Sequence, residues 1–220
     1  MSGRSVLIRT GGLGDFVLSL PLLCVLAESF TEVVLVTRSR YFQLVGRLLR
    51  SPKVVDADLF EAKDCAFLKG STVFTFWTDD DFLNELREVG VSEVRVLNSR
   101  PNQPPHFTEQ MFRNAKMPTP KDLFKKPWLG ELPLTGKDLL LHPGSGSSSK
   151  NIPLSVFVEE AEAWLAKRDQ SRVVFSFGEA DEAIEKEVKS TSLPSSKRVD
   201  LIRPAGISDL AELLEKRAAC

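Results

Sequence analysis

The chain has 220 residues with 29 basic against 30 acidic, a net charge of −1 that excludes a nucleic-acid binder driven by bulk charge. Its three cysteines and two histidines are widely spaced, which excludes a disulfide scaffold and a histidine-rich metal site and argues for a reducing cytosol. No signal peptide opens the chain, and no apolar run reaches the roughly eighteen residues that a membrane span needs.

Strand and helix patterns alternate from the start. Val6, Leu7 and Ile8 form the centre of strand 5–9, an apolar run of the kind buried on both faces of a parallel sheet. The turn Thr10-Gly-Gly-Leu-Gly14 follows, and its glycines allow tight reversal and close approach of a ligand. Helix 15–29 comes next, apolar almost all round and so expected to be buried. The order continues with strand 32–37, helix 41–50, strands 54–59 and 72–76, helix 80–89 and strand 92–98, the signature of a doubly wound α/β sheet.

The glycine turn admits several ligands. Gly12 and Gly14 fit the first two positions of a dinucleotide fingerprint, but Val17 occupies the third. Strand 32–37 ends in Thr37-Arg38-Ser39-Arg40, without the acid that would hold a ribose hydroxyl, although Arg38 leaves an NADP-binding reductase open. A Walker loop fails because no Gly-Lys-Ser/Thr follows. Asp15 fits none of these patterns; it either caps the helix and favours its dipole or serves as a general base. Arg38, Arg40, Arg47 and Arg50, with Lys53 beyond, place Arg40, Arg47 and Arg50 on adjoining faces of one helix. That stripe suits an anionic glycolipid, a bilayer surface, or simply solvent.

Seven of the thirteen prolines fall between Pro101 and Pro133, among Phe107, Phe112, Phe124 and Trp128. This seam reads as a packed short helix plus a linker, and Lys125, Lys126 and Trp128 could anchor it at a membrane interface. Beyond it come strand 138–141, helix 153–167, strand 173–177, helix 180–190, strand 198–202 and helix 208–218. Three short strands make this second α/β unit look unfinished. Its first loop, His142-Pro-Gly-Ser-Gly-Ser-Ser-Ser-Lys150, precedes Pro153 at a helix start and either offers amides, hydroxyls and a cation to a phosphate or diphosphate or is an ordinary Ser/Gly-rich surface loop. His142 itself reads as a strand-end histidine bonded to the backbone.

With both loops in place, the chain resembles the heptosyltransferase family of glycosyltransferases (family 9), which transfer ADP-activated heptose to the lipopolysaccharide inner core. The resemblance rests on Ile8-Arg9-Thr10-Gly11-Gly12-Leu13-Gly14-Asp15 with Leu18-Ser-Leu-Pro-Leu22, and on His142-Pro-Gly-Ser145 with Lys150, Pro153 and Phe157. A weaker match is Phe177-Gly-Glu-Ala-Asp-Glu182. It implies a GT-B-like α/β fold of two Rossmann-like domains facing across a cleft: an acceptor domain over 1–115, a proline-rich linker over 116–136 and a partial nucleotide-sugar domain over 137–220.

The resemblance further implies an inverting transfer, with Asp15 as the base and Gly11, Gly12, Gly14, Arg38 and Arg40 on the acceptor side. Gly144 and Ser145 would form the donor loop, Lys150 would contact the donor diphosphate, and Glu182 would hold the adenosine ribose. Neither metal nor cofactor is called for, because a lysine and helix N-terminal amides can stabilise the leaving ADP. The expected partners are an ADP-heptose-type nucleotide sugar and an anionic glycolipid, with no nucleic acid. The expected place is the cytoplasm, with room for peripheral contact at the inner face of its membrane. Two departures stand out: Ile152 replaces a tryptophan, and the family's Gly-Asn-Asp-Ser/Thr-Gly motif should begin just past Cys220. A C-terminally truncated member, impaired in catalysis and acting as a binding module, is therefore the alternative, and the helix at 208–218 would expose an apolar face.

Overall fold

Val6, Leu7 and Ile8 are fully buried, and they form the centre of β1 (Arg4–Ile8), the middle strand of a parallel sheet. The computed structural model describes residues 3–49, 52–100, 103–125, 128, 137–145, 151–216 and 218–219. The chain divides into two units, Met1–Gly130 and Glu131–Cys220.

In the first unit, β2 (Glu32–Thr37) and β4 (Thr72–Thr75) flank β1, with β3 (Lys53–Asp56) and β5 (Glu93–Val96) outside them. The order β3-β2-β1-β4-β5 reverses direction at β1, so the turn after β1 sits where open parallel sheets bind ligands. Helix α1 (Leu13–Ser29) begins within that turn and buries Phe16, Leu20, Leu22, Leu23 and Leu26. Its burial is less complete than expected: Leu18 remains 39 % exposed on the same side as Asp15. On the opposite sheet face, Val6, Ile8, Val34, Val36 and Val73 pack with Leu86 of α3 (Asp80–Glu88). Asp79 caps α3, its Oδ1 accepting from the Phe82 amide at 3.0 Å.

Several boundaries differ from the sequence reading. The expected helix 41–50 is a 3-10 turn at Ser39–Tyr41 followed by α2 (Phe42–Leu48). Arg40 and Arg47 therefore do not lie on one continuous α-helix, and Arg50 falls outside the described residues. Strand 54–59 ends at Asp56, whose carboxylate accepts from the Asp58 amide and starts a 3-10 turn. The seam holds α4 (Phe107–Asn114), which buries Met111 and Phe112 and packs against α1. Phe124, expected to be packed, is 61 % exposed, and the Trp128 indole donates to the Leu123 carbonyl at 3.0 Å. Lys126 lies outside the described residues.

The second unit repeats the plan. β6 (Leu139–Leu141) lies beside β7 (Val173–Ser176), which lies beside β8 (Val199–Ile202). Helices α5 (Leu154–Lys167) and α6 (Glu182–Ser190) cover one face through Ala161, Leu165 and Val188. The expected helix 208–218 is α7 (Ile207–Lys216), and Ala218–Ala219 forms a fourth parallel strand, β9, beside β6. Without that pairing β6 would carry an unpaired edge, so its backbone groups draw the chain out of the helix. Among the described residues no helix is long and apolar enough to cross a membrane.

Candidate functional site

The glycine turn of the first unit is held from several sides. Gly12 is extended, and its amide donates to Asp15 Oδ2 at 3.1 Å, closing the first turn of α1. A Cβ on Gly11 would lie 2.5 Å from the same oxygen, so the carboxylate occupies the space that a side chain would need. Asp15 thus caps the helix, and half of its side chain still faces solvent. The two roles open at the sequence level are compatible in one geometry.

Arg9 lies behind this carboxylate and is 3 % exposed. Its Nε donates to the backbone oxygen of Asp15 at 3.1 Å, and Nη2 pairs with Oδ1 at 3.0 Å without hydrogen-bond alignment. The guanidinium lies 3.9 Å from the Phe76 ring centre and 5.9 Å from that of Phe107. Burial pushes the Arg9 guanidinium below its ordinary value, and the charge of Asp15 acts against that shift.

Neighbouring strand ends brace the rest of the turn. Thr37 Oγ1 donates to the Arg9 carbonyl at 2.7 Å, and the Trp77 indole donates to Thr10 Oγ1 at 3.0 Å. Tyr41 stacks on Phe16 with ring centres 4.6 Å apart, and its hydroxyl reaches the Gly11 carbonyl at 3.4 Å. Arg38 and Arg40 are exposed just past β2, and the Arg40 guanidinium is 5.0 Å from the Tyr41 ring. Gly11, Gly12, Gly14, Asp15, Arg38 and Arg40 therefore share the carboxyl edge of one sheet.

In the second unit, the loop after β6 carries His142, Gly144 and Ser145, while Lys150 lies outside the described residues. His142 Nδ1 is 2.9 Å from the Ser176 carbonyl, the backbone bond expected for a strand-end histidine. Asp181, at the cap of α6, is 5 % exposed; its Oδ2 accepts from the Gly178 amide at 2.6 Å and lies 3.8 Å from His142 Nε2. A Cβ on Gly144 would fall 2.1 Å from the Asp181 carboxyl. Ser145, Asn151, Ile152, Asp181 and Ile184 help line a cavity of about 400 Å³. Glu182 is the exposed first residue of α6 and is not among the residues lining that cavity. Among the described residues, no group of three or more His, Cys, Asp and Glu side chains could hold a metal ion.

The sequence reading missed Arg9 as a site residue, along with Phe76, Phe107 and Asp181. Arg9 carried one readable signal: a charge at the end of an otherwise apolar strand, immediately before the turn. Nothing local announces its aromatic neighbours, which come from distant elements.

No protein-family model matches the sequence, and no curated protein matches it. Solved structures do. The chain is similar to a glycosyl transferase family 9 protein from Veillonella parvula DSM 2008, at 14 % identity and a TM-score of 0.62, over 91 % of this chain and 70 % of that one. It is also similar to the E. coli heptosyltransferase WaaC, solved with ADP, at 13 % identity and a TM-score of 0.65, over 96 % and 78 % of the two chains. E. coli ADP-heptose lps heptosyltransferase II matches at 13 % identity and a TM-score of 0.65, over 96 % and 76 %. The shared class is an α/β fold of the GT-B kind, two Rossmann-like parallel sheets in one chain.

Proposed function

We propose that this protein is an inverting glycosyltransferase of the family 9 type. It moves heptose, or a related sugar, from an ADP-sugar to an acceptor of the lipopolysaccharide-core kind. The observation that carries this reading is Asp15: a half-exposed carboxylate fixed at the carboxyl edge of β1, on a fold shared with heptosyltransferases. Fold alone does not fix chemistry; side chains placed at the site do.

In the proposed reaction the acceptor hydroxyl lies against Asp15. As its oxygen attacks the anomeric carbon, the proton passes to the carboxylate and the sugar–phosphate bond breaks, releasing ADP. The backbone at Gly11, Gly12 and Gly14 lets the acceptor approach closely, and Arg38 and Arg40 offer positive charge to its anionic groups. On the donor side Gly144 and Ser145 contribute the loop, Lys150 neutralises the diphosphate, and Glu182 holds the adenosine ribose. The acceptor belongs to the cytoplasmic face of a membrane, which the protein meets peripherally through exposed basic residues.

The test is release of ADP from ADP-heptose in the presence of deacylated lipopolysaccharide core. Acceptor-dependent release supports the reading; a full-length, folded chain that releases none with any ADP-sugar overturns it. Titration with NADPH decides the reductase alternative, because a nicotinamide fluorescence change saturating at one equivalent would favour it.

A further inference from the structure

Arg9 has no part in the reaction as proposed, yet its surroundings are unusual. Its side chain is 4 % exposed, it stacks on Phe76, and one guanidinium grips both ends of one residue: the backbone oxygen of Asp15 through Nε and the carboxylate through Nη2. Phe76 and Phe107 are themselves stacked, with ring centres 6.3 Å apart, so the guanidinium sits beside a rigid aromatic pair.

A buried charge is a poor way to fill that space. An apolar side chain of similar length would pack against the two rings without the cost of stripping water from a cation, and such replacements are often neutral or stabilising. What an apolar side chain cannot do is hold a carboxylate. An arginine reaches two groups at once: its Nε bonds the Asp15 carbonyl while Nη2 brings the charge to Oδ1. On the opposite side the Gly12 amide holds Oδ2, and the missing Cβ of Gly11 leaves the carboxylate its place. Asp15 is thereby fixed on three sides, with its remaining surface open to solvent.

We propose that Arg9 is a positioning residue: it holds the Asp15 carboxylate in one orientation at the mouth of the turn, and Phe76 and Phe107 hold Arg9. This rests on the reading of Asp15 as the base of glycosyl transfer. Arg9 touches no reacting atom and acts only through Asp15.

The test compares the full-length wild type with R9M, R9K and D15N. The first readout needs no activity: side-chain NMR of Asp15, whose χ1 couplings report one rotamer or several. A single rotamer is expected in the wild type and R9K, and averaging in R9M. The second readout is transfer from ADP-heptose to deacylated lipopolysaccharide core. In R9M kcat should fall about 100-fold with the donor KM unchanged, the scale of loss when a reacting group is misplaced. R9K should recover about tenfold of that loss, because charge returns without the Nε bond to the Asp15 carbonyl. Combining R9M with D15N should lower the rate no further than D15N alone. Should R9M fail to fold, F107L loosens the stack while leaving the charge, and it should broaden the Asp15 rotamers in the same way.

A single Asp15 rotamer in folded R9M or F107L overturns the proposal, as does R9K performing no better than R9M, or a further loss when R9M is added to D15N. A wild type that transfers no sugar overturns the glycosyl-transfer reading instead, and the rotamer measurement then decides the role of Arg9 by itself.

Discussion

The two units place a glycine and a carboxylate together at the same point of the same sheet plan, and they do it differently. β1 and β6 are the strands at which the order reverses, and each runs into a glycine-containing turn. Gly11 makes room for Asp15, which is four residues on in the same turn, half-exposed and paired with a buried arginine. Gly144 makes room for Asp181, which comes from the turn after the adjacent strand β7 and is 5 % exposed. The first arrangement presents a carboxylate to solvent. The second buries one to tie two loops together and leaves a cavity beside it. Similar glycine chemistry therefore serves display in one unit and bracing in the other.

The contrast can be broken by adding the missing methyl groups. G144A should have the largest effect, because the new Cβ meets a buried carboxylate that is already bonded to the Gly178 amide. We expect a loss of about 1–3 kcal/mol, the usual range for overpacking, read by urea denaturation. D181A should come next, at about 1–2 kcal/mol, since it orphans that amide. Combined with G144A it should cost less than the sum, because the clash is gone. G11A should cost less than about 1 kcal/mol in the same measurement, because Asp15 can swing into solvent, while transfer falls through the displaced carboxylate. Equal losses of stability for G11A and G144A would erase the distinction between a displaying and a bracing turn.

Acid should act weakly on both units. Hydrogen bonds from Lys53 and Arg4 hold Glu32 below the ordinary glutamate range, and Arg95 does the same for Glu93. In the second unit, bonds from Arg203 and Lys189 lower Glu185. Each lowered carboxylate contributes stability that is fully present above the ordinary glutamate value and is lost as pH falls through its lower folded value. Melting temperature should therefore drop below about pH 4, and modestly, since these groups are solvent-screened. Added salt should shrink the drop.

Much of the architecture was legible because parallel sheets advertise themselves. Val6-Leu-Ile8, Val33 to Val36 and Val173 to Phe175 are apolar runs with helical patterns between them, and these gave strand positions to within a few residues. The ends were less legible. Ala218–Ala219 reads as more helix by propensity, and only the free edge of β6 makes it a strand. Asp15 stood out because a glycine turn has few carboxylates. Arg9 and Asp181 did not, because their meaning depends on burial and on partners from other elements: Phe76 after β4, Phe107 in α4, Gly144 after β6. Glu182 and Asp181 are neighbours in sequence, and only the fold separates the exposed acid from the buried one.

The most direct measurement is the transfer rate of D15N beside the wild type, with ADP-heptose as donor and deacylated lipopolysaccharide core as acceptor. Asparagine keeps the size of the side chain and an oxygen to accept from the Gly12 amide, so the turn should stay folded, as far-ultraviolet circular dichroism would verify. A fall of about 10²- to 10⁴-fold in kcat is expected for the loss of a general base. A folded D15N that transfers sugar at the wild-type rate would contradict the assignment of Asp15 and, with it, the account of the first turn as the one that does chemistry.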